Sequence, residues 1–303
     1  MAGDRALPGG RAGVTLSAVS VSHPGNSGTE YIRPYGGLAG ALRAGLRSAG
    51  LVVVTLVTLL TWGLLALWPR DAAGRAALRR GVSRRWAATC CRVMGARVRV
   101  QGRPPAGPGF LVSNHVSYLD IPVLMSLTGC SFVAKREIAD WPVIGWLARV
   151  GGTLFVNRSG GRDTAQTLQQ MHASRERGDL VAFFPEGTTS DGRGVQPFRS
   201  GLLALASDHG VPVEAAAVRY STAAEVDPRL ALAWTGQQDF VPHAWRVLTL
   251  PGFEARVSLA EATLMASDRK LLARKLHGAV SDLHAGLDLP EARPLPGGDA
   301  AGD

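Results

Sequence analysis

The stretch Phe110-Leu111-Val112-Ser113-Asn114-His115-Val116-Ser117-Tyr118-Leu119-Asp120 decides how this chain is read. Its first four residues form a short apolar run that reads as a strand. Ser117-x-x-Asp120 ahead of an apolar run is a helix-start signal, because a serine can cap the free N–H groups of a first turn. Pro122 is tolerated there, since amides of the first turn have no intrahelical partner to lose. His115 therefore belongs to a strand-to-helix turn, where its ring and the Asp120 carboxylate can converge.

His-x4-Asp also occurs at His277/Asp282, so the spacing alone decides nothing. His277 lies inside residues 268–287, where Leu272, Leu276, Val280 and Leu283 recur at helical spacing. Five residues along a helix amount to about 500° of rotation, which leaves the two side chains roughly 140° apart. The second pair is expected to be a coincidence of the surface.

Outward from the turn, short apolar runs alternate with helical periods. Strands are expected at 98–101, 110–113, 131–134, 153–156, 181–184, 213–219 and 254–259. Helices are expected at 119–127, 141–150, 162–177, 198–209 and 268–287. Such alternation implies an α/β fold, a mixed sheet flanked by helices. Residues 1–40 and 290–303 are rich in small residues or in Gly, Ala and Pro, without apolar period, and are expected to lack fixed structure. Between them the organisation reads as a helix pair over 41–95 and an α/β domain over 96–289.

The first helix of that pair carries no charge between Arg47 and Arg70, and residues 51–68 are almost wholly apolar. About 20 such residues match a hydrocarbon core of about 30 Å, so a membrane-embedded helix is expected. Three arginines (33, 43, 47) precede it and six (70, 75, 79, 80, 84, 85) follow it within twenty residues. That bias assigns the C-terminal side to the cytoplasm, hence a cytoplasmic (inner) membrane with the α/β domain on its cytoplasmic face. The second helix interleaves arginines with Leu78, Val82, Trp86 and Val93. It reads equally as an amphipathic helix on anionic lipid or as a domain helix with a solvated arginine face.

The net charge of +9 suits an anionic surface, but no zinc-finger spacing or aromatic RNA-binding signature accompanies it, which argues against nucleic acid. Cys90, Cys91 and Cys130 are too few and ill-spaced for a disulfide framework and read as buried apolar residues. No metal-ligand set is expected.

Three further blocks follow the histidine turn in order. The second is Lys135-Arg136-Glu137-x4-Pro142-x2-Gly145-x5-Gly151-Gly152-x2-Phe155-Val156-x-Arg158. The third is Phe184-Pro185-Glu186-Gly187-Thr188, and the fourth Val211-Pro212-Val213. In this order and spacing, over roughly residues 98–220, the chain resembles the PlsC-like glycerophospholipid acyltransferase family, whose members transfer a fatty acyl group from a thioester to a lipid hydroxyl.

The resemblance implies the family's glycerol-3-phosphate acyltransferase-like fold. It also implies His115 as general base and Asp120 as the residue that orients it. Lys135, Arg158, Glu186, Gly187, Thr188 and the following Thr189 would contact substrate. No Gly-x-Ser-x-Gly elbow is present, so the lipid hydroxyl would attack the thioester directly, without an acyl-enzyme. No bound cofactor is implied; acyl carrier protein or coenzyme A would bring the acyl group. The expected acceptor is a lysolipid, by family default 1-acyl-glycerol-3-phosphate, which would make the chain part of phospholipid biosynthesis.

Two departures bear on this. The family pattern continues with Arg after Thr188, where this chain has Thr189-Ser190-Asp191-Gly192, and a second proline near 215–217 is missing. Arg193 or Arg199 would then have to supply the lost cation, or the acceptor lacks a phosphate. Thr-Thr-Ser-Asp-Gly, with Trp234-x-Gly236 and Pro242-His243-x-Trp245 downstream, looks like the branch that acylates lyso-ornithine lipid. Two rivals are a non-catalytic membrane-binding protein of the same fold and a lipid hydrolase. The first is disfavoured by the retention of His115, Asp120 and Glu186, the second by the missing nucleophile motif.

Overall fold

A computed structural model describes residues 35–105, 107–156, 161–236 and 238–287. In chain order the elements are α1 (Gly37–Ala66), α2 (Ala72–Met94), β1 (Ala96–Gln101), β2 (Gly109–Ser113), α3 (Asp120–Thr128) and β3 (Ser131–Lys135). A 3-10 turn (Arg136–Asp140), α4 (Ile144–Val150), β4 (Leu154–Val156), α5 (Gly161–Glu176) and β5 (Leu180–Phe183) follow. The remainder is α6 (Ala204–Asp208), β6 (Val213–Ser221), α7 (Pro228–Ala231), α8 (Phe240–Thr249), β7 (Phe253–Leu259) and α9 (Arg269–Ala285).

The seven strands form one sheet in the order β1-β7-β6-β2-β5-β3-β4, parallel throughout except for β6 against β7. All seven expected strands are present, with ends shifted by one or two residues. Strands β2 and β5 are buried along their whole length, as their unbroken apolar runs require. Alternation divides them between two cores. Leu111, Leu180, Ala182 and Val218 join α2, α3 and α8 on one face. Phe110, Val112, Val181, Phe183 and Val213 join α5, α6 and α9 on the other. The Leu272, Leu276, Val280 stripe of α9 is buried there, as its spacing predicts.

Several helices differ from expectation. The helix expected over 141–150 begins only at Ile144, after the 3-10 turn. Pro142 holds Trp141 extended, and Val143 takes a left-handed φ of 65° before the helix starts. The helix expected over 198–209 contracts to α6, because the Arg199 amide donates to Pro185 O (2.9 Å) and holds that segment against the third block. Helix α8 was not foreseen; Pro242 sits in its first turn, where a missing amide does no harm.

Helix α1 starts at Gly37, inside the stretch expected to lack structure, and runs for 30 residues with a mean hydropathy of 2.2 in its most apolar window. It is long and apolar enough to cross a membrane, and none of that window is buried in the protein. Its N-terminal part nevertheless holds the domain. Arg43 donates to Thr249 O (2.6 Å), and Arg47 to Leu248 O (3.0 Å), Leu250 O (2.6 Å) and Pro251 O (3.1 Å), the free carbonyls at the end of α8. Further along, Trp86 Nε1 of α2 donates to Thr55 Oγ1 (3.1 Å).

Helix α2 packs one face on the domain. Ala76, Val82, Ala87, Cys90, Cys91 and Met94 are buried, Arg80 donates to Gly178 O (2.9 Å) and Arg79 pairs with buried Asp179. Arg75, Arg84, Arg85 and Arg92 form the solvated face. The three cysteines are buried free thiols, each pushed up to about 12 chiefly by burial. The segments expected to lack structure lie outside the described residues, apart from 35–40.

Candidate active site

The C-terminal ends of β2, β3 and β5 converge on one cavity, as is usual where parallel strands end. Strand β2 stops because Asn114 replaces one rung of the ladder with its side chain. Its amide nitrogen donates to Val218 O (2.9 Å), and its amide oxygen accepts from Val218 N (2.8 Å). The main chain is thereby free to turn, and His115 leaves the sheet toward the cavity.

Asp120, fully buried as the first residue of α3, closes the turn. Its Oδ2 accepts from the amides of Val116 (2.7 Å) and Ser117 (3.0 Å) and lies 2.7 Å from His115 Nδ1. Its Oδ1 accepts from the Tyr220 hydroxyl (2.7 Å). Four donors thus offset the desolvation of one buried carboxylate. The expected serine cap is absent: Leu119 is the N-cap residue, and Ser117 Oγ is buried without a partner among the described residues. The carboxylate reaches back across the turn in its place.

With Nδ1 turned to Asp120, the other ring nitrogen of His115, which lines the cavity, is the one that could exchange a proton with a ligand there. The ring stacks on Phe184, with centroids 3.8 Å apart and planes within 4°. Phe132 stacks in turn on Phe184 (5.8 Å), so the imidazole rests on an aromatic shelf built from β3 and β5.

Glu186 does not line the cavity. It is 3% exposed and lies behind the His115 turn, where the backbone amides of Gln196 (3.3 Å) and His115 point at its carboxyl. Burial pushes this carboxyl up to about 8 against those amides, and the Asp120 charge adds to the rise. Its Oε2 has no partner among the described residues. Gly187 has φ 76°, a conformation that strains any residue with a Cβ. Thr188 and Lys135 are exposed on the cavity wall. Arg158 lies outside the described residues.

Thr189 also lines the cavity, but its hydroxyl donates to Trp234 O. The same loop is tied to the catalytic turn by Ser190, whose amide (2.8 Å) and hydroxyl (3.1 Å) both donate to His115 O. Trp234 N donates to Val116 O (3.0 Å). Trp234, Trp141, Phe240 and Tyr118 pack edge to face, with centroids 4.9–6.4 Å apart, as one aromatic wall. His243 of α8 backs this wall. Its Nε2 is bonded to Ala233 O (3.1 Å) and its Nδ1 to the Tyr118 hydroxyl (3.0 Å). Burial, helped by the Arg246 charge, lowers this histidine to about 4, so it is neutral: Nε2–H donates and Nδ1 accepts. It braces the wall.

His277, by contrast, is bonded through Nε2 to Val195 O (3.3 Å) and meets Phe198 edge-on (5.4 Å). Asp282 stays exposed on another face of α9.

Sequence reasoning missed Tyr220, and it named Phe184 and His243 only as parts of motifs, without the ring stacking and the brace they provide. Tyr220 could have been found from the alternation of β6: Ala216, Val218 and Tyr220 face the core that contains the catalytic turn.

The cavity measures about 1070 Å³, at the upper end of ligand sites. From His115 and Lys135 it extends along apolar side chains of α2 and α3 to Leu51, Leu59 and Trp62 of α1. An imidazole paired with a buried carboxylate thus stands at the head of a mostly apolar cleft, a geometry suited to a reacting group carried on a hydrocarbon chain.

Comparison with known proteins agrees with this chemistry. Residues 97–219 match the family model described as Acyltransferase. The lyso-ornithine lipid O-acyltransferase of Pseudomonas aeruginosa is 34% identical over 241 residues, which cover 79% of this chain and 92% of that protein. The 1-acyl-sn-glycerol-3-phosphate acyltransferase of Neisseria meningitidis is 36% identical over 185 residues, covering 59% and 71%. The crystal structure of the 1-acyl-sn-glycerophosphate (LPA) acyltransferase of Thermotoga maritima superposes with a TM-score of 0.62 at 18% identity, over 84% of this chain and all of that one, and so shares its fold. A histidine turn at the mouth of an apolar cleft, the ordered blocks and these relatives lead to one assignment: the chain belongs to the PlsC-like acyltransferase family and is an O-acyltransferase.

Proposed function

We propose that the enzyme esterifies the free hydroxyl of lyso-ornithine lipid, in preference to 1-acyl-glycerol-3-phosphate, by direct attack on an acyl thioester. The observation that carries the acceptor choice is the Thr189 hydroxyl bonded to Trp234 O. Where the family pattern places a phosphate-binding arginine, this chain has a group already spent on holding two loops together. The long match to lyso-ornithine lipid O-acyltransferase supports the same choice.

In this reading His115 takes the hydroxyl proton through the nitrogen not bonded to Asp120. The alkoxide oxygen bonds to the thioester carbonyl carbon, Lys135 steadies the oxyanion, and the C–S bond breaks. The proton then passes from His115 to the departing thiolate of acyl carrier protein or coenzyme A. Asp120 fixes the tautomer and faces the imidazolium while it exists. Thr188 and Gly187 line the acceptor side, and the apolar cleft takes hydrocarbon chains.

We further propose that α1 anchors the enzyme in one leaflet rather than crossing the bilayer. Arg43 and Arg47, which the charge count put across the membrane, grip carbonyls of the catalytic domain itself, so both flanks of the apolar stretch belong to the domain's side. Its exposed leucines can then enter the leaflet while the cleft meets the lipid surface, on the cytoplasmic face of the inner membrane where thioester donors are made.

The test is an acyl-transfer assay in membranes with one labelled thioester and a panel of lysolipids. Lyso-ornithine lipid should give the highest kcat/KM. Equal or better turnover of 1-acyl-glycerol-3-phosphate would overturn the acceptor assignment.

A further inference from the structure

Resting on that acceptor reading, we infer that Arg199 is the residue that reads the acceptor's anionic group, and that this group is a carboxylate. Of the two arginines able to replace the cation missing at position 189, Arg193 closes on Asp191 at 3.2 Å and does not line the cavity. Arg199 lines the same cavity as His115 and Lys135, and forms no ion pair among the described residues.

Its position is built. The Arg199 amide donates to Pro185 O (2.9 Å), which seats the residue beside the 185–189 turn. A Cβ at Gly187 would stand 3.1 Å from Arg199 Nε and 3.2 Å from Cζ, so the guanidinium end lies across the bare glycine. Gly187 therefore has a second function besides its left-handed φ: it leaves the slot in which this side chain rests. On the far side, His277 Nε2 donates to Val195 O and its ring packs on Phe198, which steadies the strip of chain carrying Arg199. The acid of the turn, Glu186, is buried, does not line the cavity and forms no ion pair with Arg199.

The ligand chemistry follows from the count of charges. A guanidinium offers two parallel N–H donors that match the two oxygens of one carboxylate. A phosphate monoester carries close to two charges; among the described residues the cations on the cavity wall are Lys135, assigned to the oxyanion, and Arg199, while position 189 contributes only a hydroxyl that is already bonded. An ornithine head group presents a carboxylate, which one fork satisfies.

The experiment measures kcat/KM for wild type, R199Q and R199K in the same vesicles. Three acceptors are compared: lyso-ornithine lipid, its carboxyl methyl ester, and 1-acyl-glycerol-3-phosphate. Wild type should favour the free acid over the ester by about ten- to hundredfold, the worth of one charge-assisted contact. R199Q should lose that factor on the free acid, mainly through KM, and lose little further on the ester. R199K, which keeps the charge but not the fork, should fall between, and all three should melt alike. A uniform loss on all three acceptors with R199Q would overturn the subsite, while the wild-type preference would still decide the acceptor. A loss confined to 1-acyl-glycerol-3-phosphate would overturn the carboxylate, whichever acceptor wild type prefers.

Discussion

The chain contains His-x4-Asp twice, and the two copies behave in opposite ways. At His115/Asp120 the backbone leaves a strand, turns, and enters a helix, so the carboxylate comes back to within 2.7 Å of the imidazole. At His277/Asp282 the same spacing lies on continuous helix, the imidazole turns to a neighbouring loop and the carboxylate to solvent. A spacing has chemical meaning only together with the backbone that carries it. The first pair also has support that the second lacks: two amides and a tyrosine on the carboxylate and an aromatic ring under the imidazole.

The largest expected effect separates the two copies outright. H115A should lower kcat by about 10²–10⁴-fold, the usual contribution of a general base, with the melting temperature little changed. D120N should lose about a hundredfold or more, because an amide cannot accept from four donors as the carboxylate does. The double variant should be scarcely worse than H115A alone, since the two act as one unit. Additive losses in that cycle would mean that Asp120 acts otherwise than through His115.

Y220F sharpens the comparison by removing one support from the first pair alone. The hydroxyl donates to a buried carboxylate, a bond worth about 1.5–3 kcal/mol. A fall in kcat of about tenfold with KM unchanged is expected, because Tyr220 reaches the reaction only through Asp120. A rise in KM with kcat intact would instead place the tyrosine's effect on lipid binding.

Much of this was legible beforehand, for reasons that can be named. Apolar runs such as 110–113 and 181–184 are short enough to read as buried strands, and the stripe on α9 repeats at helical spacing. The turn at His115 was legible because strand and helix signals stand on either side of it. What was not legible depends on contacts distant in sequence. Tyr220 lies 100 residues from Asp120, and Thr189 lies 45 from Trp234. Glu186 reads as a ligand-binding acid from its motif, yet burial sets it behind the wall. Arg43 and Arg47, near the start of α1, read from the sequence only as flanking charges, and their carbonyl partners at the end of α8 lie about 200 residues away.

The two acids at the catalytic turn differ as the two histidine pairs do, and pH separates them. Asp120 has four donors, whereas Glu186 has two backbone amides and an unpartnered oxygen, with its carboxyl raised to about 8. The native state therefore binds a proton that the unfolded chain has already released between the ordinary carboxylate range and about 8. Stability from this group is full at low pH and falls as pH rises through about 8. E186Q carries no such penalty, so relative to wild type its melting temperature should rise on going from pH 6 to pH 9. The gain should be on the order of several degrees, since 1 kcal/mol corresponds to about 2–4 °C at this size. A difference in melting temperature that does not change between those pH values would mean that Glu186 is ionised in the fold.

The smallest effect is expected at the second pair. D282N should leave kcat, KM and melting temperature unchanged, because the carboxylate faces solvent. H277A removes a bond to Val195 O and an edge contact with Phe198, both next to Arg199. Its consequence should be a rise in KM for the acceptor of about two- to fivefold, less than the worth of one neutral hydrogen bond, with kcat intact. In a double-mutant cycle the two changes should add without interaction, the reverse of His115 and Asp120. A coupling between His277 and Asp282 as strong as that of the first pair would mean that the helix does not hold them apart, and the argument from backbone geometry would fail at its simplest case.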